Sequence, residues 1–192
     1  MQFPSILASK RSHPRNAVPA LVFSAVIAFA ALLSQQPAAA QSNTNDDVLI
    51  QMKQAFQRGD KARLAALLPQ ARGHALEPWA AYWELKARLQ EAAPNEVQDF
   101  YARYPGTYQE DRLRNDWLLL LGQRRDWDGF SAALAGFRMG DDPQVRCYAI
   151  LVEALQSGSA TQAQANEVRR NWFAQKEADD GCLTAADRLV AA

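Results

Sequence analysis

From Asp46 onward, apolar residues recur at helical spacing, and no stretch alternates apolar and β-branched residues as a strand does. This one property confines the chain to helices packed on helices. Val48, Met52, Ala55 and Phe56 form the first stripe, with Asp46 or Asp47 placed to cap it. Arg58-Gly59-Asp60 breaks that helix, and Asp60 caps a second stripe of Ala62, Leu64, Ala65, Leu67 and Leu68, closed by Gly73. Pro78 opens a helix carrying Trp79, Tyr82, Trp83, Leu85 and Leu89. Pro94 opens the next, with Val97, Phe100, Tyr101 and Tyr104, ended by Pro105-Gly106. Leu113, Trp117, Leu118 and Leu121 follow, stopping near Gly122; then Trp127, Phe130, Leu134 and Phe137, ended by Gly140. Pro143 starts a helix through Leu155, residues 160–174 form another, and residues 183–192 show one more apolar helical pattern.

The connections are short, so consecutive helices are expected to pack as antiparallel hairpins. Two breaks resemble each other: Gln57-Arg58-Gly59-Asp60 and Gln123-Arg124-Arg125-Asp126-Trp127. Each joins two helices through a basic residue and a capping Asp. This is the grammar of an all-α superhelix, a solenoid in which each hairpin buries its face against the next. No tetratricopeptide signature runs through it. No polar capping helix follows the last apolar pattern, so the expected array is a truncated one.

The first forty residues read differently. Lys10, Arg11 and Arg15 precede an apolar stretch over residues 20–33, and Pro37-Ala38-Ala39-Ala40 follows, with no acidic residue before position 41. That order is a secretory signal peptide, with cleavage expected between Ala40 and Gln41. Fourteen apolar positions are too few to span a bilayer comfortably. The expected product is a domain over residues 41–192, exported and without a membrane span. It carries 18 basic and 21 acidic residues of the chain's 21 and 21, a balance that argues against a nucleic-acid partner.

Chemistry is sparse. Cys147 and Cys182 are the two cysteines, and an even pair in an exported chain reads as a disulfide, with two buried thiols as the alternative. His74 is the one histidine after the export segment, so neither a zinc site nor a Ser-His-Asp arrangement is readily built. No phosphate-binding glycine loop occurs; no cofactor or metal is expected. Glu77, Glu84, Asp111, Asp116, Asp126 and Asp128 fall on polar faces or at helix starts, where capping and dipole effects account for them. Trp79, Tyr82 and Trp83 stand at i, i+3 and i+4, a stripe that reads as inter-helix core, with sugar stacking as the alternative. Arg112, Arg114, Arg124 and Arg125 group near Asp111, Asp116 and Asp126, as ion pairs or as a patch for an anion. Trp79, Trp83, Arg112 and Arg114 are thus the candidate glycan contacts.

Three stretches together resemble the N-terminal part of the soluble lytic murein transglycosylases. They are Pro78-Trp79-Ala80-Ala81-Tyr82-Trp83-Glu84-Leu85, Asp111-Arg112-Leu113-Arg114-Asn115-Asp116-Trp117-Leu118 and Arg125-Asp126-Trp127-Asp128-Gly129-Phe130, followed in order by Val145-Arg146-Cys147-Tyr148, Trp172 and Cys182. The resemblance covers about residues 46–189, nearly all of the expected product. It implies a right-handed α-superhelical domain that forms part of a ring, a bond between Cys147 and Cys182, peptidoglycan as partner and the periplasm as location. The family's reaction cleaves the bond between N-acetylmuramic acid and N-acetylglucosamine with closure of a 1,6-anhydro ring. Its catalytic Glu is followed by Ser, and no Glu here is, so no catalytic residue carries over. The resemblance therefore implies a non-catalytic scaffold region. A stand-alone periplasmic adaptor that binds a protein on its concave face is the competing expectation.

Overall fold

The computed structural model describes residues 38–190, with side chains from residue 46. Most of the expected export segment lies outside the described residues, and Ala40 and Gln41 fall in the opening turn of the first helix. The helices are α1 (Ala38–Gln57), α2 (Lys61–Leu67), α3 (Glu77–Ala87), α4 (Pro94–Arg103), α5 (Tyr108–Arg124), α6 (Trp127–Leu134), α7 (Pro143–Ser157), α8 (Gln162–Ala174) and α9 (Asp180–Leu189). Among the described residues there is no strand, and no helix is long and apolar enough to cross a membrane.

Local chemistry sets the boundaries. Side chains of Asp60, Thr107, Asp126, Asp142, Thr161 and Asp179 accept from backbone N–H groups in the first turns of α2, α5, α6, α7, α8 and α9, satisfying donors that the helix leaves free. At α4 the work falls to Glu96, whose Oε2 accepts from the Ala93 N–H at 2.8 Å. Pro69 cannot donate to an α-helical bond, and the chain tightens into a 3-10 turn (Leu68–Ala71) at the end of α2. Several ends differ from expectation: α1 begins at Ala38, so Asp46 and Asp47, expected to cap it, lie inside the helix, and α3 ends at Ala87, short of Leu89. α6 stops at Leu134 instead of reaching Phe137, and α5 runs past Gly122 to Arg124, where Arg125 adopts the left-handed conformation at φ 58°.

Three apolar clusters hold the helices. Met52, Ala55, Leu64, Leu67, Ala71 and Ala80 join α1, α2 and α3. Tyr82, Val97, Phe100, Leu113, Leu118, Phe130, Val145 and Tyr148 join α3 through α7. Cys147, Leu151, Val168, Cys182 and Ala185 join α7, α8 and α9. α3 and α7 each feed two clusters, because adjacent residues on a helix point to different sides. α3 packs on α5, α5 on α7 and α7 on α9, while α6 bridges α5 to α7 and α8 bridges α7 to α9. The helices α2, α4, α6 and α8 begin at residues 61, 94, 127 and 162, intervals of 33, 33 and 35.

Candidate functional site

The aromatic stripe and one of the arginines meet where α3 and α5 pack. Pro78 in the first turn of α3 sets Trp79, Tyr82 and Trp83 along one side of the helix. Phe56 of α1 stacks on Trp83 with ring centroids 6.4 Å apart, Trp83 on Trp79 at 5.8 Å, and Trp79 meets Tyr108 of α5 at 5.8 Å. Tyr82 stands edge-on to Trp79 at 5.7 Å. The ladder runs outward from the core: Phe56, Trp83 and Trp79 are half-buried, and Tyr108 is 54% exposed. Stacked and edge-on aromatic pairs of this kind stabilise by about 0.5–1.5 kcal/mol each beyond their burial.

Polar groups line the same junction. The Tyr82 hydroxyl donates to Asp116 Oδ2 at 2.7 Å, and Lys86 Nζ donates to Asp116 Oδ1 at 2.7 Å. Burial, and then the Asp116 charge, push the Tyr82 hydroxyl far above its ordinary range, so it stays a donor. Arg112 is half-buried beside Tyr82 and Tyr108. Burial opposes its charge, and the Tyr82 hydroxyl and the more distant Asp116 carboxylate outweigh that opposition. Among the described residues, the ion pairs within 4.0 Å involve Lys61, His74, Lys86, Arg88, Arg114, Arg125 and Arg138; Arg112 has none.

Arg114 is placed elsewhere, which corrects the grouping of the four arginines. Its guanidinium lies over the Tyr101 ring, 3.9 Å from the centroid, and Nη2 donates to Glu110 Oε1 at 2.6 Å. Gly136 packs against the same guanidinium. Enclosed in this way, Arg114 has no surface to offer a glycan. Arg124 Nη2 donates to the Gln90 carbonyl at 2.6 Å, and Arg125 reaches Asp180 of α9 through two bonds of 2.6 and 2.8 Å. Helical spacing places residues near one another along the chain; partners arriving from other helices then separate them.

The acidic residues also depart from expectation. Glu84, Asp111 and Asp116 are buried, as is Glu110. Glu84 Oε1 accepts from Arg88 Nε at 2.7 Å, and the same arginine donates to Glu96 at 2.6 Å. Asp111 Oδ1 accepts from the Arg138 N–H at 2.9 Å. Burial alone would raise the Glu110 carboxyl, but donation from Arg114, the Gly106 N–H and Arg138 holds it below its ordinary value. A general acid needs the opposite shift. Asp179 is raised, by burial first, yet its Oδ1 caps α9 through the Cys182 N–H at 2.7 Å. Asp116 ties α5 to α3, and the others hold their own helix, its cap or the linker before α7.

Cys147 and Cys182 stand at disulfide distance, with sulfurs 2.01 Å apart and both residues fully buried. His74 Nδ1 accepts from the Leu76 N–H at 2.9 Å, and Nε2 meets Asp46 at 2.8 Å, a contact that ties α1 to the turn before α3. No group of three or more His, Cys, Asp or Glu side chains gathers as a metal site among the described residues. A cavity of about 510 Å³ opens between the ends of α7 and α9 and the start of α8, lined by Leu155, Thr161, Arg188 and Leu189, with no residue of the aromatic ladder. Of the residues singled out from sequence, then, the structure brings Trp79, Trp83 and Arg112 to one junction and sends Arg114 away. Tyr108 and the buried Asp116 complete the junction and were not foreseen as its parts. The i, i+4 spacing of Tyr108, Arg112 and Asp116, one face of α5, was the available signal.

No family model matches the chain, and no curated protein or solved structure matches it either.

Proposed function

We propose that this chain is a non-catalytic helical scaffold, a superhelix of hairpins forming the front region of a periplasmic peptidoglycan lytic transglycosylase. The observation that carries the scaffold reading is the serial packing of α3, α5, α7 and α9, alternating with helices that begin 33, 33 and 35 residues apart. An arrangement in which each unit touches its neighbours in sequence extends a surface instead of enclosing a cleft. The buried carboxylates support it too, since their hydrogen bonds go to arginines, Lys86, Tyr82 and backbone N–H groups. The transglycosylase assignment rests on the resemblance of the three sequence stretches, and the periplasmic one on the basic, apolar, small-residue order of the first forty residues with the paired cysteines.

The test is incubation of the purified protein with murein sacculi. The protein is expected to sediment with sacculi and to release no 1,6-anhydromuropeptides, beside an intact lytic transglycosylase as positive control. Anhydro products above the blank, abolished by changing one Glu, overturn the non-catalytic reading. Absence of co-sedimentation removes peptidoglycan as partner. A stand-alone adaptor for a protein is the second reading, favoured by the exposed Leu155, Phe173 and Leu183 on the last three helices. It predicts one protein recovered reproducibly from periplasmic extract, and loss of that partner on Phe173→Ser.

A further inference from the structure

We propose that Trp79, Tyr108 and Arg112 form a binding site for a carboxylated glycan, in which a sugar ring lies on the aromatic step and its carboxylate pairs with the guanidinium. The proposal deepens the scaffold reading and rests on it for the kind of sugar. Tyr108 and Arg112 stand four residues apart on α5, so they share a face of that helix. Tyr108 ends the aromatic ladder; one side of its ring meets Trp79, and over half of the residue is open to solvent. A flat ring beside a second ring offers area to a flat, CH-rich partner at low conformational cost, since each side chain has two rotatable bonds.

Charge specifies the rest of the ligand. Lys61 is paired with Glu91 and Lys86 with Asp116. Arg112 has no carboxylate within 4.0 Å, because both Asp116 oxygens are taken by Tyr82 and Lys86. A half-buried guanidinium keeps several N–H donors in a rigid fork that fits a carboxylate bidentately. The Tyr82 hydroxyl gives its proton to Asp116, so it does not neutralise the arginine beside it. None of the three residues lines the cavity beside α8, the one between α3 and α4 or the one beside Lys61. An open aromatic step with one unpaired cation suits a sugar bearing a carboxylate better than an apolar anchor.

The probe is the peptide-free disaccharide of N-acetylglucosamine and N-acetylmuramic acid, whose lactyl carboxylate is free, set against the neutral disaccharide of N-acetylglucosamine. Both are titrated into the purified protein by calorimetry and by the indole N–H signals of its NMR spectrum. The acidic disaccharide is expected to shift the Trp79 indole signal, assigned by loss in Trp79→Phe. It should bind about tenfold more tightly than the neutral one, the worth of one charge-assisted pair. Arg112→Gln should remove that preference and leave the neutral sugar unaffected. Tyr108→Ala should weaken both sugars about fivefold or more. Because Tyr108 is exposed, its variant is expected to stay folded, with a melting temperature lowered only by loss of the Trp79 contact, and the spectra check folding of each. Equal affinity for the two sugars, no shift at about 10 mM, or unchanged affinity in both variants overturns the site. If sacculi still retain the protein and both variants equally, the site fails and the scaffold reading stands. If the disaccharide binds while sacculi do not retain the protein, the site stands and the peptidoglycan reading fails. Loss of a captured protein on Tyr108→Ala with no sugar response assigns the surface to a protein partner and overturns the proposal.

Discussion

Two turns of this molecule, 66 residues apart, share a backbone and differ in the side chains that surround it. Gly59 and Arg125 both adopt left-handed angles, φ 68° and 58°. Asp60 and Asp126 follow at φ −79°, ψ 81° and φ −81°, ψ 80°, each capping the next helix. The Asp60 N–H reaches the Ala55 carbonyl at 2.9 Å, and the Asp126 N–H reaches the Leu121 carbonyl at 3.0 Å. The same offset relates Tyr82 of α3 to Tyr148 of α7 and Phe56 to Gly122. In the first unit Phe56 faces Tyr82 across 6.4 Å. In the second, Gly122 lets Tyr148 come so close that a Cβ there would collide with the Tyr148 ring. The first turn uses glycine, which accepts a left-handed φ without cost. The second places Arg125 there at about 1–2 kcal/mol. In return its guanidinium bonds Asp180, Thr184 and the Gly122 carbonyl, and donates to the Tyr148 hydroxyl. One backbone design thus serves two ends: a turn in the first unit, a turn and an anchor for α9 in the second.

The largest way to break this comparison is through the covalent link. Cys147→Ser is expected to lower the stability of the oxidised protein by about 3–4 kcal/mol, for a 35-residue separation, read from denaturant unfolding. Amide exchange should accelerate in α8 and α9 and remain slow in α1 to α3. Equal loss of protection at both ends would mean the two units do not respond separately.

Gly122→Ala comes next, at about 1–3 kcal/mol from overpacking against the fully buried Tyr148. A melting temperature at or above wild type, the usual result of Gly→Ala in an open helix, would show that the close approach is not needed.

Much of this architecture was legible beforehand, and the reason is local. Asp60, Asp126, Pro78, Pro94, Pro143 and Gly59 act within a few residues of themselves, so the breaks and caps could be read directly from the chain. The likeness of the two turns was visible for the same reason, although only coordinates showed that Arg125 takes the glycine conformation. Burial of Glu84, Asp111 and Asp116 was not legible. Their neighbours in sequence look like a polar helix face, and what encloses them comes from distant positions: Tyr82 and Lys86 onto Asp116, the 135–142 linker onto Asp111. Arg114 follows the same rule, since Tyr101 lies on another helix. The aromatic stripe of α3 was legible as a stripe, while its exit to solvent through Tyr108 depended on where α5 packs.

Cap deletions sharpen the likeness. Asp60→Ala and Asp126→Ala should each cost about 1 kcal/mol, and the two values should agree within about 0.5 kcal/mol if the turns are equivalent. A much larger loss at Asp126 would assign it a further role in the second unit.

The smallest effect expected is that of Arg125→Gly. Relief of the left-handed strain offsets the loss of a half-exposed ion pair, itself worth about 0–1 kcal/mol, so stability at neutral pH should change little. The pH dependence should change more clearly. Arg125 holds the Asp180 carboxyl below its ordinary value of 3.8. A depressed folded value contributes stability above the unfolded pKa and loses it as pH falls through the folded one. Wild type should therefore lose stability more steeply than the variant below about pH 4, and the two acid limbs should converge at the lowest pH. Parallel limbs would show that the pair contributes nothing.

The bond between Cys147 and Cys182 also changes what a protease can do. It closes a covalent ring through α7, α8 and α9, with the exposed residues 157–162 on its rim. A single cut on that rim opens the ring without releasing a fragment, because both new ends stay tethered through sulfur. The cleaved chain runs as one species until a reductant is added, and then as two. Damage at this loop in an oxidising compartment is thus held in place, with α9 kept beside α7 by a link that no backbone cleavage on the rim can undo.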